Sequence, residues 1–286
     1  MTAVAAVQHH PAMDDYLRLN RANWDERAPA HAASRGYEVQ RFIDDPTFLS
    51  RVVRFDLARL GNVAGLSVVH LQCHIGTDTI SLARLGANMT GLDLSPASLT
   101  EARALADRTD TSVRFVESDV YSALEVLEPQ SFDLVYTGVG ALCWLPSIAR
   151  WAHVVSSLLK PGGRLFIRDG HPMLFSLDES DSDRLVVEYP YFEREEPLVF
   201  TEPGTYVETD ARFSANTTHE WSHGIGEMVT ALIDAGMQLT ALTEHDSVPW
   251  DALPGQMTRD DATGEWRLTD RPWRLAASFT LQARKR

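Results

Sequence analysis

Along this chain, short apolar runs rich in β-branched residues alternate with segments whose apolar positions recur every three or four residues. Residues 66–72 form the first such run, bounded by Gly65 and followed by Gly76, and predict a buried strand. Residues 79–85 predict a helix ending at Gly86. Residues 88–92 read as a second strand. Ser95 and Pro96 then supply an N-cap and a first-turn proline for a helix reaching Ala106. Residues 113–116 and 132–136 read as strands three and four. Ile148, Trp151, Val154, Val155, Leu158 and Leu159 mark an amphipathic helix stopped by Pro161-Gly162-Gly163, and residues 164–168 read as strand five. Such alternation predicts an α/β fold of three layers with a mostly parallel, doubly wound sheet.

Outside that block the pattern changes. Residues 1–13 are small and polar and are expected to be disordered. Residues 14–60 look helical, with Tyr16, Leu19, Asn23 and Trp24 on one face and Phe48, Val52, Val53 and Phe55 on another. After Asp169 the alternation stops. Residues 185–192 and 197–206 are aromatic and strand-like but carry acidic interruptions, so residues 171–220 are expected to form an inserted cap. Ile225, Met228, Val229, Leu232 and Ile233 predict a helix ending at Gly236, and residues 238–243 and 275–283 predict two closing strands. The division expected is a tail and helical lid at 1–50 and a main domain at 51–286 containing the cap.

Composition narrows the partners. The chain has 286 residues, 44% of them hydrophobic, enough for one large domain with a sizeable core. Lys plus Arg total 26 against 40 Asp plus Glu, a net charge of −14 that disfavours nucleic acid and leaves a neutral or cationic small molecule as the expected substrate. Cys73 and Cys143 both lie in apolar runs, so a reducing compartment is expected rather than a disulfide framework. No signal peptide and no bilayer-length apolar run is evident, so a cytoplasmic chain without a membrane partner is expected. Nothing here sets the oligomeric state.

The chemistry concentrates in the turn Leu71-Gln72-Cys73-His74-Ile75-Gly76-Thr77, which leaves a strand and enters a helix. A nucleotide rests at such a turn when the backbone comes close and presents free N–H groups at the helix start, and Gly76 allows that approach. Asp93 ends the second strand, seventeen positions on (93 − 76 = 17), where a carboxylate can accept from both ribose hydroxyls. Asp119 follows strand three, where it can take the exocyclic amine of adenine. Residues 137–144 follow strand four and are placed to line the remainder of the ligand. The expected cofactor contacts are Gln72, His74, Gly76, Asp93, Leu94, Asp119, Val120, Thr137 and Gly138.

Residues 68–175 resemble a class I methyltransferase dependent on S-adenosylmethionine (SAM). VVHLQCHIGTDT resembles that family's glycine-rich first motif, and GLDLSP, ESDVY, FDLVYTGVGALCWLP and LLKPGGRLFIRDGHP resemble its later blocks. The resemblance implies a Rossmann-like sheet with an antiparallel last strand, and SAM as cofactor. The chain departs from the family in its first motif. Gln72, His74 and Gly76 stand where three glycines are common, and His70 replaces the acidic residue. In this the chain resembles a bacterial subgroup of small-molecule methyltransferases with LHLQCH at the turn. Without the usual carboxylate, Gln72 or a group in the N-terminal segment is the expected contact for the methionine amine.

The implied reaction needs a nucleophile in line with the S–CH₃ bond and a proton acceptor where the nucleophile demands one. Candidate bases are His171, just past strand five, and His219, Glu220 and His223, before the last long helix. Trp24, Trp144 and Trp221 are candidate substrate walls. Tyr189, Tyr191, Phe192, Phe200 and Tyr206 in the cap suggest a flat aromatic or heteroaromatic acceptor, with N-, O- and C-methylation left open. His219-Glu220-Trp221-Ser222-His223 spells H-E-x-x-H, a zinc-hydrolase pattern, but Gly224 and Gly226 place it at a helix start rather than mid-helix, so no metal is expected. A nicotinamide dehydrogenase, or a protein that binds SAM without catalysis, would also accommodate the first two motifs.

Overall fold

A computed structural model describes residues 11–286. The expectation of disorder at residues 1–10 lies outside these, whereas Pro11 already opens a helix. The segment read as broadly helical resolves into α1 (Pro11–Ala33), α2 (Val39–Asp44) and α3 (Arg51–Leu60). The alternating block follows as β1 (Ser67–Leu71), α4 (Thr77–Arg84), β2 (Asn88–Asp93), α5 (Pro96–Arg108), β3 (Val113–Glu117), α6 (Ala123–Val126), β4 (Phe132–Thr137), α7 (Ile148–Leu158) and β5 (Leu159–Gly170). Beyond it come α8 (Pro172–Phe175), β6 (Leu198–Thr201), β7 (Thr217–Glu220), α9 (Ile225–Asp234), β8 (Met237–His245), β9 (Ser247–Val248), β10 (Met257–Arg259), β11 (Trp266–Leu268) and β12 (Ser278–Lys285).

Seven strands form one sheet in the order β3-β2-β1-β4-β5-β12-β8. The first five run parallel, while β12 pairs antiparallel with both β5 and β8. The chain reverses its direction of travel between β1 and β4, which opens a crevice at the carboxyl ends of those strands. Local chemistry sets the helices that cover the sheet. Ser95 caps α5 by accepting from the Ser98 N–H, Pro96 follows, and Leu99, Ala102, Leu105 and Ala106 turn inward. Ser147 caps α7, whose Trp151, Val155 and Leu158 enter the main core.

Three expectations change. α7 ends at Leu158, before Pro161-Gly162-Gly163, and β5 starts at Leu159 and runs through that segment, with a register shift against β4. Gly162 at φ 78 makes that detour possible. Residues 185–192 contribute only an isolated bridge, Leu177 to Val187, and of 197–206 only Leu198–Thr201 pairs, with β7. Residues 246–274, which carry no legible periodicity, build a separate antiparallel sheet in the order β10-β11-β9. Val248, Met257 and Leu268 of that sheet, with Leu253 between β9 and β10, pack on Leu174 and Leu177, forming their own core.

A buried ion pair ties this small sheet to the large one. Arg168 of β5 donates to Glu265 at 2.6 Å, with both side chains at 2% exposure or less. The Ser247 hydroxyl also donates to Glu265, and the Phe55 ring lies 3.6 Å beneath the guanidinium. Removing one partner strands a buried charge. Glu265→Ala is therefore expected to lower the free energy of unfolding by about 3–5 kcal/mol in urea titration, and a loss under about 1 kcal/mol would show the pair to be dispensable.

Candidate functional site

A cavity opens at the carboxyl ends of β1 to β4, beneath α1. Its floor begins with the turn after β1, where Gln72 and His74 both adopt positive φ, 58° and 48°. That zigzag turns the His74 N–H toward Asp93, which accepts it on Oδ2 at 2.7 Å, while the Ser95 N–H reaches Oδ1 at 2.8 Å. One carboxylate thus braces the turns after both β1 and β2. Burial pushes the Asp93 carboxyl up to about 6, the backbone N–H groups pulling against it. Asp119 performs a similar task after β3, accepting from Tyr121 and Ser122 N–H groups.

The turn after β4 is braced from below. Asp169, at the end of β5, accepts from the backbone of Gly140, Ala141, Leu142 and Gly170 at 2.5–3.2 Å. This holds Val139, Gly140, Ala141 and Trp144 at the cavity wall. Gln72 donates to the Ala141 carbonyl at 2.8 Å, which joins the β1 and β4 turns.

The opposite wall is aromatic. Trp24 of α1 meets Trp144 edge-on at 5.1 Å and His74 at 4.9 Å between ring centres. Tyr37 and Tyr206 share a hydroxyl–hydroxyl hydrogen bond at the rim. Behind them His31 Nδ1 lies 2.8 Å from His74 Nε2 and 3.2 Å from the Tyr206 hydroxyl. Burial lowers His31 to about 4 and His74 well below its usual range, so both imidazoles are neutral at pH 7. Polar bonds seat α1 over the cavity. Asn20 exchanges two with the His219 backbone, Asn23 donates to the Ala215 carbonyl, and buried Arg27 donates to the carbonyls of Glu202, Gly204 and Ala215.

A family described as a methyltransferase domain matches residues 69–165. A ubiquinone biosynthesis O-methyltransferase from Photorhabdus laumondii is 35% identical over 114 residues, 40% of this chain and 47% of that protein. In that comparison the chain spans about half the length of its relative. The enzyme of the same name from Xanthomonas euvesicatoria is 27% identical over 248 residues, 85% of this chain and 86% of that one. A solved SAM-dependent methyltransferase from Mesorhizobium loti shares the fold, with a TM-score of 0.55 and 21% identity over 85% of this chain and 100% of that one. Residues 69–165 of the chain carry a methyltransferase domain.

The cavity gathers nine of the site candidates named from sequence: Gln72, His74, Asp93, Leu94, Asp119, Val120, Trp24, Trp144 and Tyr206. Tyr16, Leu17, Asn20, Tyr37 and Leu145 join them without having been foreseen as lining. Amphipathic spacing marked Tyr16 only as a helix face, and nothing local signalled Tyr37. Gly76 does not line the cavity. A side chain there would strike Ala102 at 2.9 Å, so its glycine serves the packing of α4 on α5. Thr137 is fully buried, and Gly138 sits just behind Val139.

The four candidate bases lie elsewhere. His171 caps α8, accepting from the Met173 N–H on Nδ1, and its Nε2 faces Glu244 at 2.9 Å. His223 has both ring nitrogens engaged, by the Leu145 carbonyl and by Glu193. His219 and Glu220 close β7 rather than opening a helix, and only His223 stands beside the Gly224 cap of α9. The H-E-x-x-H run therefore spans a strand and a loop, which do not present its histidines as one turn of helix would. Among the described residues no group of three or more His, Cys, Asp or Glu is placed to hold a metal. Trp221 is buried with its edge against Tyr16. Among the described residues no helix is long and apolar enough to cross a membrane.

Glu220 is pushed up to about 7, mostly by burial, with Glu202 and Glu179 adding repulsion. Its folded form holds a proton between pH 4.5 and 7 that the unfolded chain releases, so its contribution to stability is full below 4.5 and lost as pH rises through 7. Glu220→Gln removes that loss. Its stability relative to the native chain is expected to rise by about 1–3 kcal/mol between pH 5 and pH 8 in urea titrations. A difference that does not change with pH would place the titration elsewhere.

Proposed function

We propose that the chain transfers a methyl group from SAM to a small aromatic acceptor bound beneath α1. The carrying observation is Asp93, which stands in the cavity at the tip of β2 with each oxygen already held by one backbone N–H. A carboxylate oxygen accepts more than one hydrogen bond, so both retain capacity toward the two ribose hydroxyls. The residues fit the cofactor further in that Gln72 Oε1 is buried without a partner beside the cavity. Asp119 would take the adenine amine, and Leu94 and Val120 would flank the base. Thr137 and Gly138 would support the amino-acid end from the β4 side. When bound, SAM supplies a methyl group already activated by its sulfonium.

The acceptor site is assigned to the Trp24, Trp144, Tyr37 and Tyr206 wall. The curated relatives are O-methyltransferases of ubiquinone biosynthesis, which supports an oxygen on an electron-rich ring as the acceptor atom. His74, Tyr37 and Tyr206 belong to the cavity's lining, whereas none of His171, His219, Glu220 and His223 does. The division into an N-terminal lid at 1–50 and a cap at 171–220 rests on the bonds from Asn20, Asn23 and Arg27 to residues 202–219. Net charge of −14 and the free thiols of Cys73 and Cys143 support a cytoplasmic enzyme of small-molecule metabolism that does not engage nucleic acid.

Asp93→Ala is expected to weaken S-adenosylhomocysteine binding by about 2–3 kcal/mol in calorimetry, the size of a lost charged hydrogen-bonding partner. Tight NAD binding by the native chain, with none of S-adenosylhomocysteine, would overturn the cofactor assignment. A panel of catechols and hydroxybenzoates with methyl-labelled SAM tests the acceptor class. Transfer is expected to persist in EDTA, and loss restored by zinc would reinstate the H-E-x-x-H reading.

A further inference from the structure

Gly138, the first residue after β4, leaves the place of a side chain open beside two polar atoms. A methyl group built on it would stand 3.3 Å from His70 Nε2 and 3.5 Å from Asp78 Oδ2. His70 is 3% exposed, and its Nε2 has no hydrogen-bond partner. Its Nδ1 lies 2.9 Å from the Thr79 hydroxyl. In the tautomer whose Nδ1–H donates to Thr79, Nε2 is a bare acceptor. Burial lowers His70 to about 3, so the ring stays neutral.

The surrounding groups have the same polarity. Asp78, in the first turn of α4, takes a hydrogen bond from Ser50, and burial raises its carboxyl to about 6. Two further buried oxygens lack partners on this side of the crevice: Thr137 Oγ1 at the end of β4 and Gln72 Oε1 after β1. A carboxylate and an unprotonated imidazole nitrogen facing one gap ask for a cation with several N–H donors. Asp93 and Asp119 follow β2 and β3, so a ligand anchored on them directs its other end toward β1 and β4. Tyr37 of the cavity wall lies within electrostatic reach of both Asp78 and Asp93.

We propose that Asp78 and His70, across the gap left by Gly138, bind the α-ammonium of the cofactor's methionine end, supplying from the helix the carboxylate that the first motif lacks. The inference rests on the reading of the cavity as a SAM site. Calorimetry with two probes tests it: S-adenosylhomocysteine, and 5′-methylthioadenosine, which lacks the amino-acid end. Asp78→Asn keeps the shape and removes the charge. It is expected to weaken S-adenosylhomocysteine at least about 10-fold while leaving methylthioadenosine within about 2-fold, as for one charge-assisted contact. Losing a negative charge cannot weaken a carboxylate contact, so a selective loss reports the ammonium. Gly138→Ala, which fills the gap at an ordinary backbone geometry, is expected to show the same selectivity, and methylthioadenosine binding confirms that each variant is folded. Unchanged S-adenosylhomocysteine affinity in Asp78→Asn, or equal loss of both probes, overturns the inference while the SAM reading stands. Failure of the native chain to bind either probe removes the SAM reading and this inference together.

Discussion

The carboxylate of Asp93, buried between two turns, holds the cofactor side of this domain in shape. It accepts from His74 on one turn and Ser95 on the next, so the strand ends of β1 and β2 present a fixed surface before any ligand arrives. Burying a carboxylate is costly unless its lone pairs are filled, and two backbone N–H groups offset only part of that cost. The raised pKa of Asp93 records the remainder. Ribose hydroxyls would complete the set, so the group that organises the site is also the one best placed to gain from filling it. Asp169 repeats the device on the other side of the crevice, where four N–H groups converge on one carboxylate and define the β4 turn.

The acceptor side is built differently. Apart from Trp144 after β4, its wall comes from α1, the turn that follows α1 and the segment after β6, joined by side-chain bonds to backbone carbonyls. Arg27 is the centre of that joint. It is 5% exposed, covered by Phe213, and its donors are spent on carbonyls rather than on a carboxylate. Such bonds are directional and local, which allows the wall to be specific in shape while resting on polypeptide far from the sheet. Opening this joint would expose Trp24, Tyr37 and Tyr206 together, because all three meet across it.

The first motif illustrates how a departure from a familiar pattern is absorbed. Gln72 and His74 adopt left-handed backbone angles that glycine takes at less cost, and their side chains offset the strain by bonding to Ala141, Ser98 and His31. The substitution of His70 for an acid leaves a neutral ring at the end of β1, and the nearest carboxylate moves to the first turn of α4. The polar side chains of the turn thereby connect the cofactor surface to the aromatic wall, a coupling that a run of glycines could not provide.

Periodicity alone determined the five parallel strands, the helices after β1, β2 and β4 and the place of Asp93 and Asp119, because β1, β2, β4 and β5 are largely buried on both faces and each of those helices has one buried stripe. Those patterns are local, so they are legible one segment at a time. The resemblance of the ordered motifs added SAM and the direction of β12. What the tertiary structure decided were the contacts between segments distant in sequence. Glu265 meets Arg168 across 97 positions, and strands of two or three residues in 246–274 carry no alternation to read. His171 and His223 looked like bases because histidines titrate near neutrality, yet their nitrogens are consumed by a helix cap, a carbonyl and two glutamates. Tyr37 and Asp78 gave no local signal, since what places them is the packing of α1 and α4 against strand ends, and packing is a property of the assembled chain rather than of any window within it.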